Sequence, residues 1–157
     1  MSRYQELCAE YLEALTRFNQ YTDDCCSFAE EFFATLQNHF ECPADSVRFY
    51  APQEELDTLK NCTLRKAMLH NSDGFYAIYF SLTLKETTSE DTVLIVLRVK
   101  KLDHCFRVKI GMNRKEFEIS TKEDLPAIFD YIYDGIKNYY QKDGFIKSTA
   151  SPIGFAI

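Results

Sequence analysis

Residues 76–119 read YAIYFSLTLKETTSEDTVLIVLRVKKLDHCFRVKIGMNRKEFEI, and their alternation of apolar and polar side chains decides the fold class. Side chains in a strand alternate between faces with a period of two. Tyr76, Ile78, Phe80, Leu82 and Leu84 therefore share one face of a first strand. Val93, Ile95, Leu97 and Val99 share a face of the second, opposite Leu94, Val96, Arg98 and Lys100. Phe106, Val108 and Ile110 do so in a third strand, and Phe117 and Ile119 in a fourth. A turn at Leu102-Asp103 predicts Val99 opposite Phe106 and Leu97 opposite Val108. One at Met112-Asn113 predicts Val108 opposite Phe117 and Phe106 opposite Ile119. The polar stretch Glu86–Asp91, read as a longer loop, sets Leu82 against Ile95 and Phe80 against Leu97. A slip of one residue would turn each apolar set to water, which ties register to pattern.

Outward from the meander, residues 1–42 contain neither glycine nor proline. Tyr4, Cys8, Tyr11, Leu15, Phe18, Cys25, Ala29, Phe32 and Leu36 recur at spacings of three and four, with Thr22 in the one polar slot. This is an amphipathic helix with Ser2 as N-cap and Gln5 completing a capping box. Its length exceeds the usual range, so a break near Asn19–Thr22 into a helix pair is the alternative. Pro43 ends the element. Ser46–Tyr50 reads as a short strand, Pro52–Leu59 as a brief helix and Leu64–His70 as another strand. Leu125, Phe129, Ile132, Ile136 and Tyr139 or Tyr140 line a C-terminal helix, with Asp124 as its cap and Pro126 in its first turn. The expected architecture is α+β: an antiparallel meander of four to six strands, one face covered by the long N-terminal helix (or helix pair) and the C-terminal helix, the other wet. Residues 1–143 read as a single domain and 144–157 as a tail.

The bulk properties bound the function classes. The 157 residues include 13 Phe and 10 Tyr, and 46% are apolar, which is enough for a sizeable core. No stretch approaches the roughly 20 apolar residues of a membrane span, and the first residues lack the apolar core of a signal peptide. A cytoplasmic protein is expected. Six cysteines scattered through apolar patterns read as reduced thiols. The net charge of −6 argues against nucleic acid and anionic membranes as partners. Residues 1–60 carry 12 acids and 4 bases, so the acidity belongs to the N-terminal third.

The residues that invite a functional reading mostly have plainer ones. Arg98, Lys100, Lys101, Arg107, Lys109, Arg114 and Lys115 form a basic cluster. The register sets Lys109 against Glu116 and Arg107 against Glu118, with Tyr79 beside Arg98, so ion pairs and a cation–π contact account for most of it. Arg98 opposite Arg107 is left as a like-charge pair. Tyr79, Arg98, Lys100 and Arg107 are therefore the candidate contacts for an anion or an acidic partner surface. His39, Cys42, Cys62, His70, His104 and Cys105 lack the paired spacing of a zinc site, so no metal and no cofactor is expected. No catalytic constellation is visible. Tyr131, Tyr133 and Tyr140 spread around the last helix beyond one stripe and, with Phe155 of the tail, are candidate interface residues.

The expectation is a small non-enzymatic interaction protein, of the adaptor, immunity or chaperone type, that binds a protein partner. The alternative is a small-ligand-binding module, or an enzyme, with an apolar cavity between curved sheet and helices, lined by Phe80, Leu97, Phe106, Phe129 and Tyr139. A stripe from Tyr4 to Leu36 is too long for one sheet to cover, since strands of about six residues span some 20 Å. A homodimer through the N-terminal helix is one way to cover the overhang, and a helical hairpin is the other.

Overall fold

Helix α1 (Arg3–Phe40) runs unbroken for 38 residues, about 57 Å. The computed structural model describes residues 1–51, 61–111 and 115–142. Ser2 Oγ accepts from the Gln5 N–H at 3.2 Å and Gln5 Oε1 accepts from the Ser2 N–H at 2.9 Å, closing the capping box. The break considered near Asn19–Thr22 does not occur. The Thr22 hydroxyl donates back to the Phe18 carbonyl at 3.0 Å and lies 2.5 Å from the Tyr76 hydroxyl, so it caps no second helix. The helix stops at Glu41, which turns left-handed at φ 52° while the Cys42 N–H bonds the Gln37 carbonyl. A glycine is the usual occupant of that position.

Beyond it come β1 (Val47–Tyr50), β2 (Asn61–Cys62), the single helical turn α2 (Leu64–Ala67), β3 (Met68–His70), β4 (Tyr76–Glu86), β5 (Ser89–Lys101), β6 (Phe106–Ile110), β7 (Lys115–Ile119) and α3 (Leu125–Lys142). Among the described residues these strands form one antiparallel sheet in the order β2-β1-β4-β5-β6-β7, with β3 on the same edge of β4 as β1. The α+β architecture is as expected, with a sheet larger than the meander alone. The strand anticipated over Leu64–His70 is shorter, because Thr63 caps a helical turn before β3 begins. The expected helix over Pro52–Leu59, the turn at Met112-Asn113 and the tail Gly144–Ile157 lie outside the described residues.

The faces fall as the alternation requires, but two of the three registers are displaced by two residues. Phe80 pairs with Ile95 and Ile78 with Leu97, so the β4–β5 turn is only Thr87-Thr88 and not a long polar loop. Leu97 pairs with Ile110 and Val99 with Val108, around a longer connection closed by the Leu102 N–H on the Cys105 carbonyl. The third register, Val108 with Phe117 and Phe106 with Ile119, is as expected. A two-residue slip leaves every side chain on its own face, so hydrophobic pattern cannot detect it and the turn decides.

The core lies between one sheet face and the two helices. Phe33 packs edge-on against Phe49 and Phe80, Phe28 stacks on Phe106 at 4.3 Å, and Phe32 meets Phe129 of α3 at 5.3 Å. The opposite face is not simply wet. Ala77, Ser81, Leu94 and Val96 are buried there, and the Tyr50 and Ser81 hydroxyls share a buried 2.7 Å hydrogen bond. The apolar run Val93–Leu97 feeds both faces at once, which an alternating strand would not.

Candidate functional site

The sheet covers only the C-terminal half of α1. Cys25, Ala29, Phe32 and Leu36 are buried, whereas every residue from 1 to 20 is exposed. Residues 3–20 therefore form a helical arm of about 27 Å. Its apolar stripe stays in phase with the buried half. Tyr4 is 76% exposed, Leu7 69%, Tyr11 64% and Leu12 60%, with Leu15 and Phe18 lower because they approach the body. Phe18 meets the His70 ring edge-on at 5.1 Å, and this marks where the body ends. Tyr21 anchors the arm's base by donating to the Gly74 carbonyl at 2.6 Å while accepting the Lys101 N–H. Burial pushes its hydroxyl pKa up to about 12. Arg65–Asp23 and Lys101–Asp24 ion pairs flank the same base.

Six exposed side chains of the arm, at on the order of 100 Å² each, leave on the order of 600–700 Å² of apolar surface in one strip. That is at or above the largest patch of a typical monomer. Leu7 and Leu12 widen the strip beyond the positions foreseen from spacing, although both are legible as apolar neighbours of Tyr4, Cys8 and Tyr11.

A second feature sits at the other end of α1. A cavity of about 960 Å³ opens between the end of α1, the β4–β5 hairpin and α3, lined in part by Phe40, Leu82, Leu84, Tyr133, Ile136 and Lys137. Around it His39 Nε2 lies 3.2 Å from Asp130 Oδ1, and Tyr140 donates to Asp91 at 2.5 Å. Burial and the Asp91 carboxylate both raise the Tyr140 pKa. This cavity is not where the sequence suggested one. Phe80, Leu97 and Phe129 are fully buried in the filled core, and Phe106 is stacked on Phe28. Its wall combines segments from residues 39–46, 82–91 and 130–140, which no local motif connects.

Of the basic cluster, Arg98, Lys100, Arg107 and Lys109 lie on the far sheet face and are each engaged within the chain, whereas Lys101 pairs with Asp24 of α1 and Arg114 lies outside the described residues. Arg107 pairs with Glu118 at 3.0 Å and Lys109 with Glu116 at 3.4 Å, as the register requires. Lys100 donates to the Asp73 carbonyl at 2.9 Å and stands over the Phe75 ring, as does Lys109 at 4.5 Å. Arg98 reaches the Gly111 carbonyl at 3.5 Å. The two-residue displacement corrects the expected neighbours: Arg98 faces Ala77 and Lys109, Lys100 faces Arg107, and Tyr79 faces Val96 and Tyr50. The four candidate contacts share a face without converging on one point.

Of the tyrosines on α3, Tyr131 packs edge-on against Phe117, Tyr133 is half exposed beneath Lys137, and Tyr140 lines the cavity. Phe155 lies outside the described residues. Burial raises the thiol pKa of Cys25, Cys26 and Cys42, the reverse of what an activated nucleophile needs. Among the described residues no group of three or more His, Cys, Asp or Glu side chains gathers as a metal site, and no helix is long and apolar enough to cross a membrane. No protein-family model, curated protein or solved structure matches the chain.

Proposed function

We propose that this chain is a protein-interaction module whose binding surface is the arm of α1. The observation that carries the reading is the exposed strip Tyr4, Leu7, Tyr11, Leu12, Leu15 and Phe18, held in one helix with the buried seam. Helices that present such strips dock by burying them against another apolar face, and large aromatic anchors dominate the energy. Because the arm is anchored at Tyr21 and by the core behind it, less helix must be ordered when a partner arrives. The test is affinity capture from the native cell with wild-type bait and with a Tyr11→Glu, Leu15→Glu bait. A partner lost from the variant, with unchanged circular dichroism of the sheet, supports the reading. Equal capture by both baits refutes it.

A second reading is favoured by the cavity, whose volume of about 960 Å³ suits a small ligand. It predicts that an apolar fluorescent probe binds the wild type and that Leu84→Trp, filling the mouth from the hairpin, abolishes the signal. No binding to the wild type would dismiss it.

A further inference from the structure

The seam of α1 follows a heptad, with Thr22 its one polar member and Leu7 and Leu12 flanking it. Tyr4, Tyr11, Phe18, Cys25 and Phe32 occupy one position of the repeat, and Cys8, Leu15, Thr22, Ala29 and Leu36 the other, with alternating steps of four and three. A 3.5-residue period is the signature of a helix that packs along another helix. The C-terminal half of that seam is spent on the protein's own sheet, where Cys25, Ala29, Phe32 and Leu36 are buried. The N-terminal half has no cover among the described residues.

We infer, resting on the proposed binding role of the arm, that its partner is a second copy of this chain, paired through residues 4–18 as an antiparallel two-helix coiled coil. Two observations select this occupant. The first is charge. Arg3, Glu6, Glu10, Glu13 and Arg17 all lie away from the seam, while the flanking positions are Gln5, Leu7, Leu12, Ala14 and Asn19. Charges at those flanks normally choose or reject a coiled-coil partner. Here nothing repels an identical copy. The second is area. On the order of 600–700 Å² from each arm approaches the roughly 800 Å² per partner of a stable interface.

Direction follows from the body. A parallel copy lying in register on the seam would carry its own residues 22–40 into the first copy's sheet. An antiparallel copy sends its body past the first copy's N-terminus, onto the opposite side. Reversing one helix sets one heptad position against the other, and the register that overlaps the whole arm places Leu15 against Tyr11 of the second copy, Cys8 against Phe18 and Tyr4 against Thr22 at the arm's base. The symmetry is an isologous two-fold, in which each contact occurs twice.

Light scattering at micromolar concentration is expected to give twice the 18.3 kDa chain mass. The Tyr11→Glu, Leu15→Glu variant should show a twofold fall in mass with an unchanged sheet spectrum, since neither side chain belongs to the core. In a Phe18→Cys variant, mild oxidation should link Cys8 of one copy to the new thiol of the other. A wild type that remains a monomer overturns the inference. So does a dimer that survives the double substitution, or an oxidised product linked Cys8 to Cys8. A wild-type monomer whose arm still holds a different protein overturns this inference alone and leaves the binding role standing.

Discussion

Replacing Phe32 by alanine separates the two halves of α1 energetically. Phe32 is fully buried, with the Phe33 and Phe129 rings at 5.1 and 5.3 Å, so it joins α1 to α3. Truncating a buried phenylalanine costs about 3–5 kcal/mol, from lost transfer energy and the void left behind. That is a large share of the roughly 5–15 kcal/mol that holds a domain together. At about 2–4 °C per kcal/mol for a chain of this size, the melting temperature should fall by roughly 6–20 °C. Tyr11→Ala is the control. Tyr11 occupies the same heptad position, but at 64% exposure it should change monomer stability by under about 0.5 kcal/mol. Both are measured by urea unfolding, at dilution where association does not contribute. A Phe32→Ala loss below about 1 kcal/mol, or equal losses at both sites, would refute the division into buried seam and free arm.

Acid should destabilise the fold through Asp24, Glu123 and Asp124, whose pKa values are lowered by the hydrogen bonds they accept, from Lys101 and from the Ser120 and Thr121 N–H among others. The unfolded chain binds protons first, so their stabilisation is complete above about pH 5 and lost as pH falls through the folded values. Alkali acts through Tyr21 and Tyr140. Unfolded tyrosines ionise near pH 10, while Tyr21 holds its proton to about 12, so stability should decline as pH rises across that interval. A flat unfolding free energy across either window would contradict these contacts. Glu41 and Thr87 have φ of 52° and 55°, and glycine at either should raise stability by about 0.5–1 kcal/mol; a loss would show that their side chains contribute more than their backbone strain costs. Leu97→Asp should prevent folding, because it puts an unpaired carboxylate at a fully buried position. A variant that melts like the wild type would show the face assignment to be wrong.

The period-two and heptad patterns made strand faces and the long helix legible, because burial acts on side-chain identity directly. Register was legible only to within two residues, since Leu97 is equally satisfied by Ile110 or Val108. The Thr87-Thr88 turn is not legible, because a β-branched residue at positive φ carries no turn signature. The burial of Leu94 and Val96 on the far face is masked in the sequence by Arg98 and Lys100, which give that face a polar character. The arm was legible as an overhang in length. The cavity was not, since it is assembled from three segments distant in the chain.

The most direct test of the arm as a binding surface is hydrogen exchange of amides 3–20 in the wild type at rising protein concentration. An uncovered helical arm frays and exchanges quickly, whereas a seam buried against another helix is protected. The expected result is protection that grows with concentration and disappears in the Tyr11→Glu, Leu15→Glu variant. Rapid exchange of these amides at every concentration, and equally in the presence of native cell extract, would contradict it.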